Sequence, residues 1–242
     1  IYNGDREVTH RIIDADGHIC ETKELWEEYI PAAYRDRTIR MDKGDNGLDR
    51  FWINGVGTEN VHSARACLPW GMDDPDNPPS WDDIIPGSYD GAARVGVMDE
   101  EGIEHALLFP SIYLRCGDIT DPDVAAAAAY GYNEWIADMC KDGDGRLDAV
   151  GLVPLQSAEA ATKEVAHIAQ LGLKGVAFRP ERYNGLALYD EALIPFWNAI
   201  SEQGLFAGVH GSFGVKMPSF ANSRYTNRVF TLFLLRERGE FG

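Results

Sequence analysis

Short apolar segments alternate with helical segments from about residue 90 to residue 210, and this alternation constrains the fold more than any other feature of the chain. Asp90 and Asp121 are plausible helix N-caps, and Gly172 is a plausible helix stop. Apolar strands of about five residues that alternate with helices are typical of βα units and a parallel sheet. The predicted helices are 90–101, 121–141, 157–171 and 189–203, and the predicted strands are 105–109, 148–153, 174–178 and 205–209.

A fifth apolar strand is predicted near the N-terminus, at 12–16. Five strands suit an open doubly wound sheet, and they equally suit the first five strands of an eight-stranded barrel. Residues 22–89 do not fit the alternation, and we interpret them as an insertion after the first strand. In a barrel the insertion would lie over the C-terminal face, as a cap that shapes a substrate pocket. Within it we predict a helix at 24–34, a β-hairpin at 38–56 and an ordered loop at 68–89.

Composition limits the partners of the chain. Its 242 residues carry a formal net charge of −17, which argues against nucleic acid and against an anionic membrane surface. A small anionic substrate remains compatible with this charge, because one arginine or metal ion can dominate a site. No stretch approaches about 18 uninterrupted apolar residues. Four cysteines without a C-x-x-C pair indicate reduced thiols in a cytoplasmic protein: Cys20, Cys67, Cys116 and Cys140.

The residues that most suggest chemistry follow two predicted strands far apart in the sequence. Asp16 and His18 end the first strand, and their spacing of two directs both side chains to one face of a regular strand. His210 follows the strand at 205–209. If the strands are parallel, all three side chains meet at the C-terminal edge of the sheet, where carboxylate and imidazole groups could bind zinc, manganese or iron. The spacing alone equally fits a turn-capping aspartate with two hydrogen-bonded histidines.

An ordered set of segments resembles a known group of enzymes. The first segment of the set is 13–21 (IDADGHICE). The resemblance as a whole covers roughly residues 11–215. The later segments are 132–135 (YNEW), 151–156 (GLVPLQ), 172–180 (GLKGVAFRP) and 209–211 (VHG). Together they resemble the aminocarboxymuconate-semialdehyde decarboxylase group of the amidohydrolase-related proteins (amidohydrolase family 2).

The resemblance implies a (β/α)8 TIM barrel of the metal-dependent hydrolase type, of which residues 1–242 form one partial domain with strands one to five. It also implies one divalent metal ion, zinc or alternatively manganese, bound by Asp16, His18 and His210. The family usually has His-x-His where this chain has Asp16 and His18. An aspartate after strand eight and a histidine after strand six have no counterpart here, so we expect the biological protein to be longer. A homodimer is a further expectation from the resemblance.

Three further residues are candidates for the site. Arg179 follows the fourth strand and could bind a substrate carboxylate, which would make it a catalytic residue together with His210. The alternative for Arg179 is a salt bridge to an acidic residue. Glu21 could bind substrate at the barrel mouth or contact Arg179, and a surface or supporting role is the alternative. Trp70 in the insertion could line a pocket or simply pack within its loop. His167 is expected to be exposed to solvent.

Three functions remain open at this level. The first is non-oxidative decarboxylation of an aromatic or unsaturated carboxylic acid, with protonation of a ring carbon and loss of carbon dioxide. The second is metal-dependent hydrolysis of an ester, lactone or amide. The third is a degenerate, non-catalytic barrel that serves as a binding or scaffold subunit. The carboxylate-x-His pair favours the decarboxylase.

Overall fold

The computed structural model describes residues 11–44, 49–57 and 83–211. Five strands form one parallel sheet in the order β1-β5-β6-β7-β8, and three form a small antiparallel sheet in the order β2-β3-β4. In chain order the strands are β1 (Ile12–His18), β2 (Arg40–Lys43), β3 (Asp49–Ile53), β4 (Val56–Gly57), β5 (Ile103–Phe109), β6 (Leu147–Leu152), β7 (Gly175–Phe178) and β8 (Phe206–Val209). The α/β fold class and the five parallel strands are therefore confirmed.

Within the described ranges, four α-helices lie between successive parallel strands: α1 (Gly91–Glu101), α2 (Pro122–Lys141), α3 (Ala158–Gln170) and α4 (Ile194–Glu202). The predicted caps are confirmed. The Asp90 carboxylate accepts a hydrogen bond from the Ala93 N–H, and the Asp121 carboxylate accepts two in the first turn of α2. Gly172 ends α3 with a φ of 80°, which a residue with a Cβ adopts only at a cost.

Two predicted helices were wrong in extent, and proline explains both differences. The helix predicted at 24–34 ends at Tyr29, because Pro31 forces Ile30 into an extended conformation with φ −95° and ψ 126°. The helix predicted from residue 189 begins at Ile194. Pro195 occupies the first turn of α4, where a missing N–H is tolerated because that turn has no N–H acceptor within the helix. A short 3₁₀ turn at Glu191–Leu193 comes before it.

The interior of the parallel sheet is apolar and its two outer strands are open. All four residues of β7 are buried, as are five of the six in β6. On the outer strands β1 and β8, in contrast, Ile13 is 61% exposed and Val209 is 58% exposed. Burial on both faces of the central strands reflects the helices that cover a parallel sheet.

The described part of the insertion packs beside the carboxyl end of β5. The predicted hairpin is confirmed as β2 and β3, and its turn at 45–48 lies outside the described residues. The Tyr113 hydroxyl donates to the Ile39 carbonyl, and the Asn54 amide donates to the Asp118 carbonyl. These bonds hold the insertion against the segment that follows β5. Residues 58–82 and 212–242, which include Trp70, lie outside the described residues, and coverage of the C-terminal face by the insertion stays a prediction.

No helix in the described ranges is both long and apolar enough to cross a membrane. Cys20 and Cys116 are buried, Cys140 is half-buried, and Cys67 lies outside the described ranges.

Candidate metal centre

Asp16, His18 and His210 meet at the edge of the sheet where the parallel strands end. The Nε2 atoms of His18 and His210 lie 3.2 Å apart. The Asp16 Oδ1 atom lies 3.3 Å from Nε2 of His210 and 3.9 Å from Nε2 of His18. The three side chains that the sequence singled out therefore form one triangle of oxygen and nitrogen atoms.

This meeting requires a strongly curved sheet, because the three side chains come from the ends of its two outer strands. His18 ends β1 and His210 directly follows β8, and three strands lie between them. In a flat sheet, strands at about 4.8 Å spacing would place β1 and β8 about 19 Å apart. The Phe109 ring from β5 fills part of the interior, with its centroid 5.5 Å from that of His210 and 6.5 Å from that of His18. The sheet therefore curls like half of a barrel around this aromatic ring.

The triangle has the dimensions of a metal site. Two ligand atoms that each lie about 2.1 Å from an ion are about 3.0 Å apart at a right angle and about 3.4 Å apart at the tetrahedral angle. Two of the three separations, 3.2 and 3.3 Å, fall in this range, and the third, 3.9 Å, exceeds it by about 0.5 Å. Within the described ranges this is the group of acidic, histidine or cysteine side chains with metal-binding geometry. The residues present thus fit one divalent ion.

The surroundings of His18 favour the form of the ring that binds metals. Its Nδ1 atom lies 3.0 Å from the Pro110 carbonyl oxygen and 3.3 Å from the Ser111 hydroxyl. A proton on Nδ1 that is donated to Pro110 leaves the Nε2 lone pair directed into the triangle. Burial lowers the pKa of His18, and the neighbouring His210 lowers it further. Both effects favour a neutral ring, which is the form that binds a metal ion.

Two residues that the sequence did not single out support β1 at this site. The Asp14 Oδ1 atom accepts a hydrogen bond of 3.1 Å from the Asp16 N–H. The Arg94 guanidinium of α1 lies 3.6 Å from the other Asp14 oxygen and donates to the His18 carbonyl at 3.2 Å. The D-x-D-x-H spacing of β1 was visible in the sequence, but no local signal pointed to Arg94.

Glu21 is buried, and its carboxylate is bound by backbone. Its oxygens accept hydrogen bonds of 3.0 to 3.1 Å from the N–H groups of Ser111, Ile112 and Tyr113. Burial raises the pKa of Glu21 to about 7, although the backbone donors act in the opposite direction. A surface role is excluded by this position, and binding of substrate by Glu21 stays a prediction.

Arg179 is also buried and forms the salt bridge that was the alternative to substrate binding. Its Nη2 atom lies 2.6 Å from the Asp118 carboxylate, and its Nε atom donates to Glu181 at 2.6 Å. Burial opposes the charge of Arg179, but the two carboxylates outweigh it and raise the pKa of the guanidinium. The Nη1 atom is buried without a hydrogen-bond partner among the described residues. Arg179 follows Phe178, whose carbonyl accepts the His210 N–H, so Arg179 lies next to His210 in the fold.

The expectation that His167 is exposed to solvent was wrong. Its two ring nitrogens bond to Glu164 at 2.7 Å and to Glu134 at 2.9 Å, and the ring stacks on Tyr130. A histidine between two carboxylates on adjacent helices is an ion-pair network, and residue spacing along α3 alone does not reveal the partner on α2. Trp70, the remaining candidate, lies outside the described residues.

The fold resembles that of several solved structures. An amidohydrolase from Mycobacterium avium subsp. paratuberculosis K-10 is 24% identical, with a TM-score of 0.67, over 85% of this chain and 60% of that one. 5-Carboxyvanillate decarboxylase from Novosphingobium aromaticivorans, solved with manganese and a nitrobenzoic acid, is 21% identical with a TM-score of 0.57, over 85% and 51% of the two chains. 2,6-Dihydroxybenzoate decarboxylase from Rhizobium is 19% identical with a TM-score of 0.53, over 89% and 53%.

These likenesses establish the fold as part of an amidohydrolase barrel. The chain spans about half to 60% of the length of these relatives. No match was found among curated proteins. The profile of the amidohydrolase family matches residues 13–236, almost the whole sequence. The chain therefore belongs to the amidohydrolase family.

Proposed function

We propose that this chain carries the metal-binding half of an enzyme that decarboxylates an aromatic or unsaturated carboxylic acid without oxidation. The observation that carries the proposal is the triangle of Asp16, His18 and His210, whose ligand atoms lie within 4.8 Å of one another. Three protein ligands leave coordination positions open for substrate, which distinguishes a catalytic site from a structural one.

Asp16, His18 and His210 would hold the ion through one carboxylate oxygen and two imidazole nitrogens. Such an ion supplies positive charge that neutralises a substrate carboxylate and an adjacent oxygen. A donor set without thiolate suits manganese, iron or zinc. The preference for zinc stays a prediction; manganese is the ion in the solved 5-carboxyvanillate decarboxylase, so manganese should be tested beside it.

The protein side chains around the triangle have separate tasks in this proposal. His18 keeps its proton on Nδ1, against the Pro110 carbonyl, so that Nε2 stays available. The Phe109 ring gives the site an apolar wall that suits an aromatic substrate and excludes water. The Nε and Nη2 atoms of Arg179 bond to Glu181 and Asp118, whereas its Nη1 atom has no partner among the described residues and could bind a substrate carboxylate. The reaction replaces a carbon–carboxylate bond by a carbon–hydrogen bond, so it needs one proton and no oxidant.

Decarboxylation and hydrolysis place similar demands on the triangle, and the relatives favour the first. Two of the three solved structures described above are decarboxylases of aromatic acids. Hydrolysis is the second candidate, because the structure with the TM-score of 0.67 is described as an amidohydrolase. A combined substrate screen separates the two reactions.

The first experiment measures metal content in the purified protein by plasma mass spectrometry. We expect about one equivalent of manganese or zinc in the wild type and a large loss in Asp16→Ala and in His210→Ala. His105→Ala is a matched control, because His105 pairs with Asp148 at 2.8 Å in the same sheet but away from the triangle. A folded wild type that binds no divalent ion would contradict the proposal and favour a degenerate barrel.

The second experiment tests the reaction on metal-loaded protein. Hydroxybenzoic and carboxyvanillic acids are incubated with it, and carbon dioxide release is measured beside hydrolysis of aryl esters and lactones. Carbon dioxide release that is lost in His210→Ala and kept in His105→Ala would support the decarboxylase. Ester or lactone hydrolysis with the same dependence would establish the hydrolase instead.

A further inference from the structure

Strand β1 carries one extra residue between Asp14 and Gly17, the stretch that contains the proposed metal ligand Asp16. Asp14 pairs with Ala106 and Gly17 pairs with Leu108, so three steps along β1 match two steps along β5. This is a β-bulge, which bends a strand and changes the direction of the side chains that follow. The positions of Asp16 and His18 therefore depend on whatever fixes the bulge.

The side chain of Asp14 spans the bulge. One carboxylate oxygen accepts a hydrogen bond of 3.1 Å from the Asp16 N–H, which ties it to the backbone of the first metal ligand. The other oxygen faces the Arg94 guanidinium at 3.6 Å. Both side chains are mostly shielded from solvent, with 28% of Asp14 and 16% of Arg94 exposed.

Arg94 holds the other end of the same segment. Its Nη1 atom donates to the His18 carbonyl at 3.2 Å and to the Gly87 carbonyl at 3.4 Å. A single guanidinium on α1 thus contacts Asp14 before the bulge and the backbone of His18 after it. Because the planar guanidinium presents several donors in a fixed geometry, it sets the relative position of both points.

Gly17 supplies the space that this arrangement needs. A Cβ atom at Gly17 would lie 2.7 Å from the Asp14 Oδ2 atom and 3.0 Å from the Arg94 Nη2 atom. Gly17 does not adopt a left-handed conformation, so its backbone would accept another residue. The conflict comes from the Asp14 carboxylate and the Arg94 guanidinium.

We propose that Asp14, Arg94 and Gly17 form a positioning latch that sets the geometry of the metal ligands Asp16 and His18. The inference rests on the metal site of the proposed function, and none of the three residues is itself a ligand. Contacts that orient metal ligands typically contribute 10- to 100-fold to metal affinity. The latch accounts for the bulge, the partly buried ion pair and the glycine with one set of contacts.

The variants that test the latch are Asp14→Ala, Asp14→Asn, Arg94→Met and Gly17→Ala. We expect each to weaken manganese binding about 10- to 100-fold, with Asp14→Asn the mildest because its amide oxygen still accepts the Asp16 N–H. Arg94→Lys should recover part of the loss, since it restores the charge but not the planar fork. Asp14→Asn is close in shape to the native residue, so it keeps the test valid if a larger change unfolds the protein.

A double variant separates the latch from general damage. Gly17→Ala acts mainly by displacing the Asp14 carboxylate, which is the nearer of its two contacts at 2.7 Å, so it should cost less further affinity when Asp14 is already alanine. The combined loss in Asp14→Ala/Gly17→Ala should therefore fall well short of the product of the single losses. Independent, multiplicative losses would overturn the role of Gly17.

Manganese affinity is measured by titration of the full chain, following the free ion by electron paramagnetic resonance. Circular dichroism in the presence of a chelator checks the fold of each variant. The matched control is Arg146→Met, because Arg146 also pairs with an aspartate of α1, Asp99, and donates to the Ile103 and Glu104 carbonyls. The control should bind manganese as tightly as the wild type.

The possible results separate the latch from the metal site. A wild type that binds no manganese or zinc overturns the proposed function and the latch with it. Binding in the wild type that is unchanged in folded Asp14→Asn, Asp14→Ala and Arg94→Met overturns the latch and leaves the metal site intact. An equal loss in Arg146→Met would show a general effect of arginine removal and would also overturn the latch.

Discussion

Glu21 is a buried carboxyl group whose protonation is linked to folding. Both of its oxygens are used by the backbone N–H groups of residues 111–113, and burial raises its pKa to about 7 from the ordinary value of 4.5. A folded-state pKa above the unfolded value means that the folded protein binds the proton more tightly. The resulting stabilisation is complete below about pH 4.5 and is lost as the pH rises through 7.

Glu21→Gln removes this titration and keeps one oxygen acceptor. We expect the free energy of unfolding of the wild type to fall relative to that of Glu21→Gln between pH 5 and pH 8. Urea denaturation of both proteins in a chelating buffer measures the difference. A difference that stays constant, or that favours the wild type at pH 8, would contradict the raised pKa.

Glu21→Ala should be more damaging than Glu21→Gln at every pH. It leaves three N–H groups beside β5 without their acceptor, and each unsatisfied buried donor costs about 1–3 kcal/mol. The same denaturation series measures this loss.

At the scale of single elements, His167 connects two helices that cover the sheet. Its ring bonds to Glu164 of its own helix α3 and to Glu134 of α2. Burial alone would lower the pKa of His167, but the hydrogen bonds to the two carboxylates outweigh it and raise the pKa above 6.5. The charged form therefore strengthens the contact between α2 and α3.

The stabilisation from His167 should be fully present below pH 6.5 and lost as the pH rises through its folded-state pKa. His167→Gln should accordingly lower the free energy of unfolding more at pH 5.5 than at pH 8.5. Denaturation at the two pH values tests this, and Lys163→Gln serves as a control because its pair with Glu159 is exposed. A loss that is larger at pH 8.5 would reverse the expected sign.

The elements were predictable from local signals, whereas the supporting contacts of the site were not. Capping by Asp90 and Asp121 depends only on the next few residues, and the structure confirms both caps. Pro31 and Pro195 shorten two helices, and apolar periodicity alone overestimates the length of both. Arg94 and Asp14 are 80 positions apart, so only the tertiary fold brings their side chains together.

The sequence predicted which three side chains form the triangle. Strand-end positions of Asp16, His18 and His210 place them at one edge of any parallel sheet, and the structure confirms that they meet. The bulge in β1 was not visible, because strict alternation gives the same direction to Asp16 and His18 without it. For Arg179 the sequence left two roles open, binding of a substrate carboxylate and a salt bridge to an acidic residue. Its two carboxylate partners, Asp118 and Glu181, lie in the segments that follow β5 and β7.

For the whole molecule, the proposed ion would join the two outer strands of the sheet. Asp16 and His18 belong to β1, and His210 follows β8. An ion bound only by the folded state stabilises it by about 2.7 kcal/mol at a free concentration of 100 times its Kd. Manganese should therefore raise the Tm of the wild type, and a chelator should lower it.

Differential scanning fluorimetry with increasing manganese measures this shift. His105→Ala should respond like the wild type, because its pair with Asp148 lies outside the triangle. His210→Ala should respond weakly, since it cuts the link at β8. A full response in His210→Ala would place the stabilising ion elsewhere.

The two histidines of the triangle are separated by 192 positions in the sequence. Contacts between such distant residues form late in folding, because the entropy of closing the intervening chain must first be offset by local structure. During synthesis, Asp16 and His18 leave the ribosome long before His210. Capture of the ion should thus mark the moment at which the five-stranded sheet is assembled, and its rate would report the slowest step of that assembly.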